Sequence, residues 1–578
     1  MNIRLNDGAA FDPVQDRRDA LARTAALRAA DDFPDFEAAA TVDYRSAGRT
    51  LVVGAARDAL PLADRLASAL PITVLLLDEP GAPEGGARLY PTFLVRTVAL
   101  AGWLGAFEAR WQAPGRPVGE GRFDLVLDLC PARLIDSHQR PHGYQAPGPD
   151  PLARERAVEA LLELVGDFEK PKYFNYKERI CAHGRNGIQA CSACLDICSA
   201  KAILDDGDRV KVNPYLCAGC GACATVCPTG AMSYVYPPVP LTGKRVQAML
   251  RAYAGAGGLD PVLLLHDAHG AALLAQLDAA GEPLPGRILP LALHHVASTG
   301  IDVWLAALAY GAAGVAVLGT GDAAPQYIGA LGEQMEVAQA VVDGLGYAGP
   351  HFQLVRIGAP VGGGAPAGDG APAPGPLQLH ELAVALRHAP RGEVPRVPAV
   401  FHLAQDKRNT LDYALEHLHR HAPQQPLHIA LPPRAPFGAL AVDRQACSLC
   451  MACVGVCPAH ALQDGQGAPM LRFIEKNCVQ CGLCANTCPE DAIALVPRMS
   501  FAPERTQAVE LNASQPFHCI RCNKAFGTLQ MVENMLGRLG AHPAFSANLE
   551  RLKMCGDCRV IDMMAPQDEM RVTPLRRQ

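Results

Sequence analysis

Cys447, Cys450, Cys453 and Cys457 follow one another as C-x2-C-x2-C-x3-C before Pro458, and Cys478, Cys481, Cys484 and Cys488 repeat that spacing before Pro489. Three thiolates on one tight loop reach three corners of an iron-sulfur cube, while the fourth corner needs a distant segment of chain. The proline after the fourth cysteine fixes φ and removes an N–H that would otherwise continue a helix. Buried small hydrophobes, or a pair of zinc sites, would not require the double match.

This is the spacing of the bacterial ferredoxin run, in which the fourth cysteine of each half ligates the other cluster. The ligand sets expected are therefore Cys447, Cys450, Cys453 and Cys488 for one 4Fe-4S cluster, and Cys478, Cys481, Cys484 and Cys457 for its neighbour. An earlier group is less regular. Cys217, Cys220, Cys223 and Cys227-Pro228 fit the run, whereas nine residues separate Cys181 from Cys191 before Cys194 and Cys198 resume it. A loop inserted between the first two ligands restores Cys181 to its corner, with Gly184 and Gly187 free to take the positive φ of a return path. Ser199 stands where proline is usual, and His183 competes with Cys181 as a ligand. The sets expected here are Cys181, Cys191, Cys194 and Cys227, and Cys217, Cys220, Cys223 and Cys198.

The last four cysteines differ in kind. Cys519-x2-Cys522 and Cys555-x2-Cys558 are two knuckles that close a tetrahedral thiolate site, suited to a structural zinc, although a single iron would satisfy the same geometry. Cys130 ends an apolar strand in DLVLDLCP and reads as a small buried hydrophobe. His266, His269, His294 and His295 flank expected strands and read as hydrogen-bonded structure. No catalytic residue set and no phosphate-binding loop can be assembled, and after Leu51-Val52-Val53-Gly54 the dinucleotide fingerprint lacks two of its glycines.

These sites need scaffolds. With 578 residues, 49% apolar and 19% charged, several folded units are expected. The net charge of -6 argues against a nucleic-acid binder. The Arg17-Arg18 pair reads as a solvated helix face, since no export-type apolar stretch follows it. With no apolar run long enough to span a bilayer, the protein is expected to be soluble and cytoplasmic, a compartment in which thiols bind metals and do not form disulfides.

Apolar runs at Leu51–Val53, Ile72–Leu77 and Leu125–Leu129 predict a parallel sheet covered by helices, and Val262–Leu265, Val315–Leu318 and the helix Ile301–Tyr310 predict a second. Val397–Leu403, a helix around Asn409–Arg420 and Leu427–Leu431 predict one more strand-helix-strand element. The expected class is α+β multidomain, with two bacterial 2x4Fe-4S ferredoxin modules joined to α/β domains and a C-terminal zinc-ribbon-like knot. The boundaries read as an α/β domain at 1–165, a ferredoxin module at 166–240, a cysteine-free α/β domain at 241–357 and a Gly/Ala/Pro linker at 358–376. An α/β segment at 377–440, a second ferredoxin module at 441–500 and the knot at 501–578 complete the chain.

The stretches GDFEKPKYFNYKERICAHG, CAGCGACATVCPTGAM, APFGALAVDRQACSLCMACVGVCP, LRFIEKNCVQCGLC and TCPEDAI together resemble a proteobacterial family of long cytoplasmic 4Fe-4S polyferredoxins. PFHCIRCNKAFGT and MCGDCRV resemble that family's terminal zinc-knuckle segment. The resemblance implies association with a formate dehydrogenase or another molybdoenzyme. GRILPLALHHVASTGIDVWLAALAYGAAGVAVLG is similar to the delta subunit of methyl-viologen-reducing hydrogenases, but residues 241–357 contain no cysteine, which leaves a docking or scaffold role.

The function expected is electron transfer: four 4Fe-4S clusters relaying single electrons to or from a larger redox enzyme, with one zinc (or iron) at the C-terminus and no independent catalysis. The alternative is an assembly or maturation factor for a metalloenzyme that uses its clusters for redox chemistry or sensing. A flavin oxidoreductase is a third reading.

Overall fold

The computed structural model describes residues 12–34, 36–77, 89–115, 117–321, 323–357, 376–466, 468–539 and 549–564. The linker reading of 358–376 falls, apart from Pro376, outside them. The chain divides into two compact units, residues 1–179 with 192–426, and residues 180–191 with 427–578.

In the first unit, Thr92–Val95, Ile72–Leu77, Thr50–Gly54, Leu125–Asp128 and Tyr144–Gln145 lie side by side as a five-stranded parallel sheet. Its central strands are buried on both faces, which is why they read as unbroken apolar runs without alternation. The helices Ala56–Leu66 and Pro151–Glu163 cover one face with Leu60, Ala63, Leu66, Val158 and Leu161. The antiparallel strands Thr97–Ala101, Phe107–Gln112 and Gly119–Phe123 bring Phe107, Trp111 and Phe123 to the other.

The second sheet runs Ile288–Ala292, Val262–His266, Gly314–Gly319, Phe352–Arg356, all parallel. The helix Ile301–Ala309 is buried on every side, as its all-round apolar sequence requires. Pro376–Arg387, beyond the Gly/Ala/Pro stretch, inserts Leu382, Ala383 and Leu386 into the core of this sheet beside Val262 and Leu264. The N-terminal helix Pro13–Asp31 also belongs with this region. Asp12 caps it, Asp16 and Asp19 accept the N–H groups of Gly286 and Leu259, and Arg23 donates to the carbonyls of Leu284 and Pro285. Arg17 and Arg18 are exposed on its outer side.

Val397–Leu403 forms no strand. Its carbonyls are taken by side chains: Gln247 Nε2 donates to Ala399 and Phe401, and Tyr310 Oη also to Phe401, so a ladder is not needed to satisfy them. The helix Lys407–Arg420 and the strand His428–Ala430 form at the expected places.

In the second unit, Ile493–Ser500 pairs antiparallel with both Gly438–Val442 and His428–Ala430. The hairpin Leu462–Asp464 with Met470–Phe473 gains a third strand from Val509–Ala513. The C-terminal segment then pairs Pro516–His518 with Ala525–Thr528 and continues into the helices Leu529–Leu539 and Gly556–Met564. Among the described residues, no helix is long and apolar enough to cross a membrane.

Candidate metal centres

Each group of cysteines sits on the same local device, used four times. Five-residue helices at Ala193–Ile197, Ala222–Val226, Ala452–Val456 and Leu483–Thr487 carry the third cysteine and are capped at the C-terminal end by the fourth. Three residues beyond each fourth cysteine the backbone turns left-handed, at Lys201, Gly230, His460 and Asp491. That turn aims an N–H back at the sulfur. Ala202, Ala461 and Ala492 donate to Cys198, Cys457 and Cys488 at 3.2, 3.3 and 3.3 Å, and Met232 donates to Cys227 at 3.4 Å. Such N–H bonds favour the thiolate form that a metal requires.

In three of the four loops the chain is also left-handed between the first and second cysteines (Gly219, Leu449, Gln480) and just after the second (Gly221, Met451, Gly482), which curls three thiols toward one point. Gly221 is irreplaceable there, since a Cβ would stand 2.7 Å from the Ser298 backbone.

Cys447, Cys450, Cys453 and Cys488 line one cavity of the second unit. Cys478, Cys481, Cys484 and Cys457 line another, walled by Leu440, Phe473, Leu483 and Leu495. Burial and the neighbouring cysteines push Cys453 and Cys481 up to about 12, and Cys484 higher. Four crowded thiols in an apolar cavity resist ionisation unless a cation compensates them. The donor set and the apolar lining suit an iron-sulfur cube.

In the first unit, Cys217, Cys220 and Cys223 share their electrostatic surroundings with Cys198, and Cys223 also with Cys194. Burial pushes Cys220 up to about 11, against hydrogen bonds from Tyr327 and the Ala222 N–H. Lys170 is buried beside this group and donates to the carbonyls of Tyr215 and Cys217 at 2.7 and 2.9 Å. Its burial draws its pKa down to about 8. Lys407 donates to the carbonyls of Thr225 and, at 3.3 Å, Cys227.

The inserted loop is a hairpin. Gly184–Arg185 pairs with Ile188–Gln189 around an Asn186-Gly187 turn in which both residues have positive φ. Gly187 thus takes the left-handed conformation expected of it, whereas Gly184 sits in the ladder opposite Gln189. The hairpin belongs to the second unit: Ala182 packs with Val456 and Leu483, Cys191 and Cys481 border that apolar group, and Asn486 donates to the Gln189 carbonyl. Cys181 and Cys191 therefore lie in the second unit, and Cys194 and Cys227 in the first. His183 is buried, with Nδ1 2.8 Å from the Cys191 carbonyl.

Cys519, Cys522, Cys555 and Cys558 bring their sulfurs within 4.8 Å of one another, with Cys522 and Cys555 3.6 Å apart. A zinc tetrahedron with 2.3 Å bonds has edges of about 3.8 Å, so the spacing fits one metal ion. Burial works against ionisation of Cys519, but N–H groups of Cys555, Cys522 and Arg521 outweigh it and bring the thiol to about 6. Hydrogen bonding with Cys522 holds Cys558 up, at about 12.

Residues 446–493 match the 4Fe-4S dicluster domain, and residues 210–233 the 4Fe-4S binding domain. The chain carries ferredoxin-type 4Fe-4S domains. It is 48% identical over 40 residues to hydrogenase-4 component A of Escherichia coli K12, covering 7% of this chain and 20% of that protein. Identity to pyruvate synthase subunit PorD of Thermotoga maritima is 39% over 63 residues, covering 11% and 63%. To the ferredoxin-type protein NapF of Escherichia coli K12 it is 33% over 85 residues, covering 13% and 47%. The chain thus spans less than two thirds of the length of these relatives. The ferredoxin domains support an electron-transfer role.

The remaining candidates are structural. Cys130 borders the core of the first sheet; burial and the Asp128 carboxylate raise its thiol, which makes it a poor nucleophile. His295 accepts the Ala297 N–H, His266 faces the Asp267 carbonyl, and His294 stacks on Tyr173. Tyr327 and Lys170 touch the cysteine loops without belonging to any cysteine motif, and Gln480, a spacer residue between Cys478 and Cys481, donates to the Cys478 sulfur. The missing proline at Ser199 was the one sequence signal that pointed toward such a contact.

Proposed function

We propose that this chain is an electron carrier holding four 4Fe-4S clusters in two crossed pairs, together with one structural zinc, and that it serves a larger redox enzyme. The ligands are Cys447, Cys450, Cys453 and Cys488; Cys478, Cys481, Cys484 and Cys457; Cys217, Cys220, Cys223 and Cys198; and Cys181, Cys191, Cys194 and Cys227. The zinc ligands are Cys519, Cys522, Cys555 and Cys558. The observation that carries the reading is the pair of cavities in the second unit, each lined by three cysteines of one loop and the fourth cysteine of the other.

A 4Fe-4S cube supplies one-electron chemistry at a potential set by its protein surroundings. This chain's part is to deprotonate and fix the thiols, to bury them among apolar side chains and to hold the members of each pair close together. Buried Cys447 and Cys453 anchor one loop while Cys450 is exposed, which gives that cluster a face toward solvent and a redox partner. A formate dehydrogenase or another molybdoenzyme is the partner class that the family resemblance suggests.

Anaerobically purified protein tests the reading. Iron and acid-labile sulfide for four cubes and about one zinc are expected. The dithionite-reduced EPR spectrum should be broadened by coupling within each pair. Iron for two cubes, or four magnetically isolated signals, would overturn it.

A further inference from the structure

Ser199 departs from the proline that follows the other three fourth cysteines. It is buried, and its hydroxyl is hydrogen-bonded to that of Tyr327. Tyr327 in turn donates to Cys220 Sγ at 3.0 Å. The tyrosine has one proton and directs it at sulfur, so Ser199 supplies the proton of the other bond. The two hydroxyls form a directed relay that ends on a thiol.

The relay is rigid and dry. Tyr327 lies in the first turn of the helix Pro325–Gly344, from the cysteine-free α/β domain, and is 1% exposed. Ile197, Ala222, Ala297 and Ala324 pack around it with Cys220 and Cys223. A phenol fixed in this way cannot exchange sulfur for water. Two side-chain bonds onto other cysteine sulfurs are longer: Gln480 to Cys478 at 3.3 Å, and Thr229 with Cys227 at 3.5 Å.

A hydrogen bond to a ligating sulfur draws electron density from it and stabilises the reduced, more negative cluster, and consecutive bonds polarise one another. We propose that Tyr327, oriented by Ser199, is a positioning residue that raises the reduction potential of the cluster held by Cys217, Cys220, Cys223 and Cys198. That cluster is then the electron sink of the chain. The proposal rests on the ligand reading above and gives the cysteine-free domain a task besides scaffolding, which is to carry the hydroxyl that tunes a cluster in the neighbouring ferredoxin module.

The test is an anaerobic EPR-monitored redox titration of the full chain, with iron counted in every variant. Tyr327→Phe should keep all its iron and lower one midpoint, the highest of the set, while the others hold. Ser199→Ala should lower the same midpoint by less, and Ser199→Thr should restore it. Gln480→Leu should move a different midpoint. An unchanged highest midpoint in Tyr327→Phe with full iron overturns the proposal, and so does loss of one cube from both Tyr327→Phe and Ser199→Ala, which would make the pair a mere structural support. If Cys220→Ser costs no iron, the ligand reading itself fails, an outcome distinct from a failure of tuning.

Discussion

Cys488 lines the cavity of Cys450, whereas Cys484, one helical turn before it, lines the cavity of Cys457. The short helix Leu483–Thr487 causes this divergence, because it carries the third cysteine on its first turn and leaves the fourth at its C-terminal cap. Cys488→Ser should therefore damage the cube of Cys447, Cys450 and Cys453, and Cys457→Ser that of Cys478, Cys481 and Cys484. Iron analysis with EPR of each variant checks the crossing. Damage confined to the cube of the mutated loop would refute it.

For the irregular corner, Cys181→Ser should cost iron and His183→Ala should keep it. The His183 ring is already engaged through Nδ1 with the Cys191 carbonyl at 2.8 Å, a bond that fits a role in shaping the hairpin. Iron lost from His183→Ala and kept by Cys181→Ser would assign the corner to the imidazole.

The ferredoxin loops were legible because their chemistry is local: thiol spacing, a left-handed turn and a five-residue helix all lie within a dozen or so residues. The central strands were legible for a similar reason, since burial on both faces leaves unbroken apolar runs such as Val262–Leu265. What escaped is long-range. Nothing near Tyr327 announces that its hydroxyl meets Cys220 and Ser199, which lie more than a hundred residues earlier. Val397–Leu403 has the composition of a strand, but Gln247 and Tyr310 take the carbonyls that a ladder would have used. The hairpin 180–191 was expected as an insertion, yet its membership of the second unit depends on Val456 and Leu483, which no spacing rule connects to Ala182.

Asp124 predicts a pH dependence in the first α/β domain. Its carboxylate accepts the N–H groups of Ala47 and Arg49 at 3.0 Å each, and the Arg49 guanidinium at 3.1 and 2.7 Å. Burial alone would raise this carboxyl, but the hydrogen bonds, led by the Arg49 side chain, hold it below its usual range. A folded pKa below the unfolded one gives stability that is present above about pH 4 and lost as pH falls through the folded value. Asp124→Asn should cost about 2 kcal/mol at neutral pH, and the gap from wild type should close in acid. Chemical unfolding followed by circular dichroism at neutral and acid pH measures this. A gap that stays constant with pH would show that the charge is not responsible.

Thr528 is the N-cap of the helix Leu529–Leu539: its Oγ1 accepts the Met531 N–H at 2.9 Å and donates to the Ser448 carbonyl at 3.1 Å. Gln530 adds donors to the carbonyls of Arg444 and, more closely, Gln445. Thr528→Ala should cost about 1 kcal/mol and should speed amide exchange in both the helix and the loop that carries Cys447. Exchange faster in the helix alone would mean that the bond to Ser448 contributes nothing.

The C-terminal thiols make the last prediction. Four cysteines would close the coordination sphere of the proposed zinc and leave no position for water or substrate, so the metal would serve folding. The strands Pro516–His518 and Ala525–Thr528 frame one knuckle, and the helix Gly556–Met564 carries Cys558. Among the described residues, Phe526 and Met554 are the apolar side chains packed against the thiols, so the proposed metal would hold these pieces together. Replacing Cys519 and Cys522 together by Ser should release one zinc and expose the segment from about residue 515 onward to protease. The visible absorption of the clusters should survive, because all sixteen of their proposed ligands precede Cys519. Iron and zinc counts of the double variant decide the matter: a fall of one whole cube of iron, with zinc absent from wild type as well, would mean that Cys519, Cys522, Cys555 and Cys558 hold a fifth cluster.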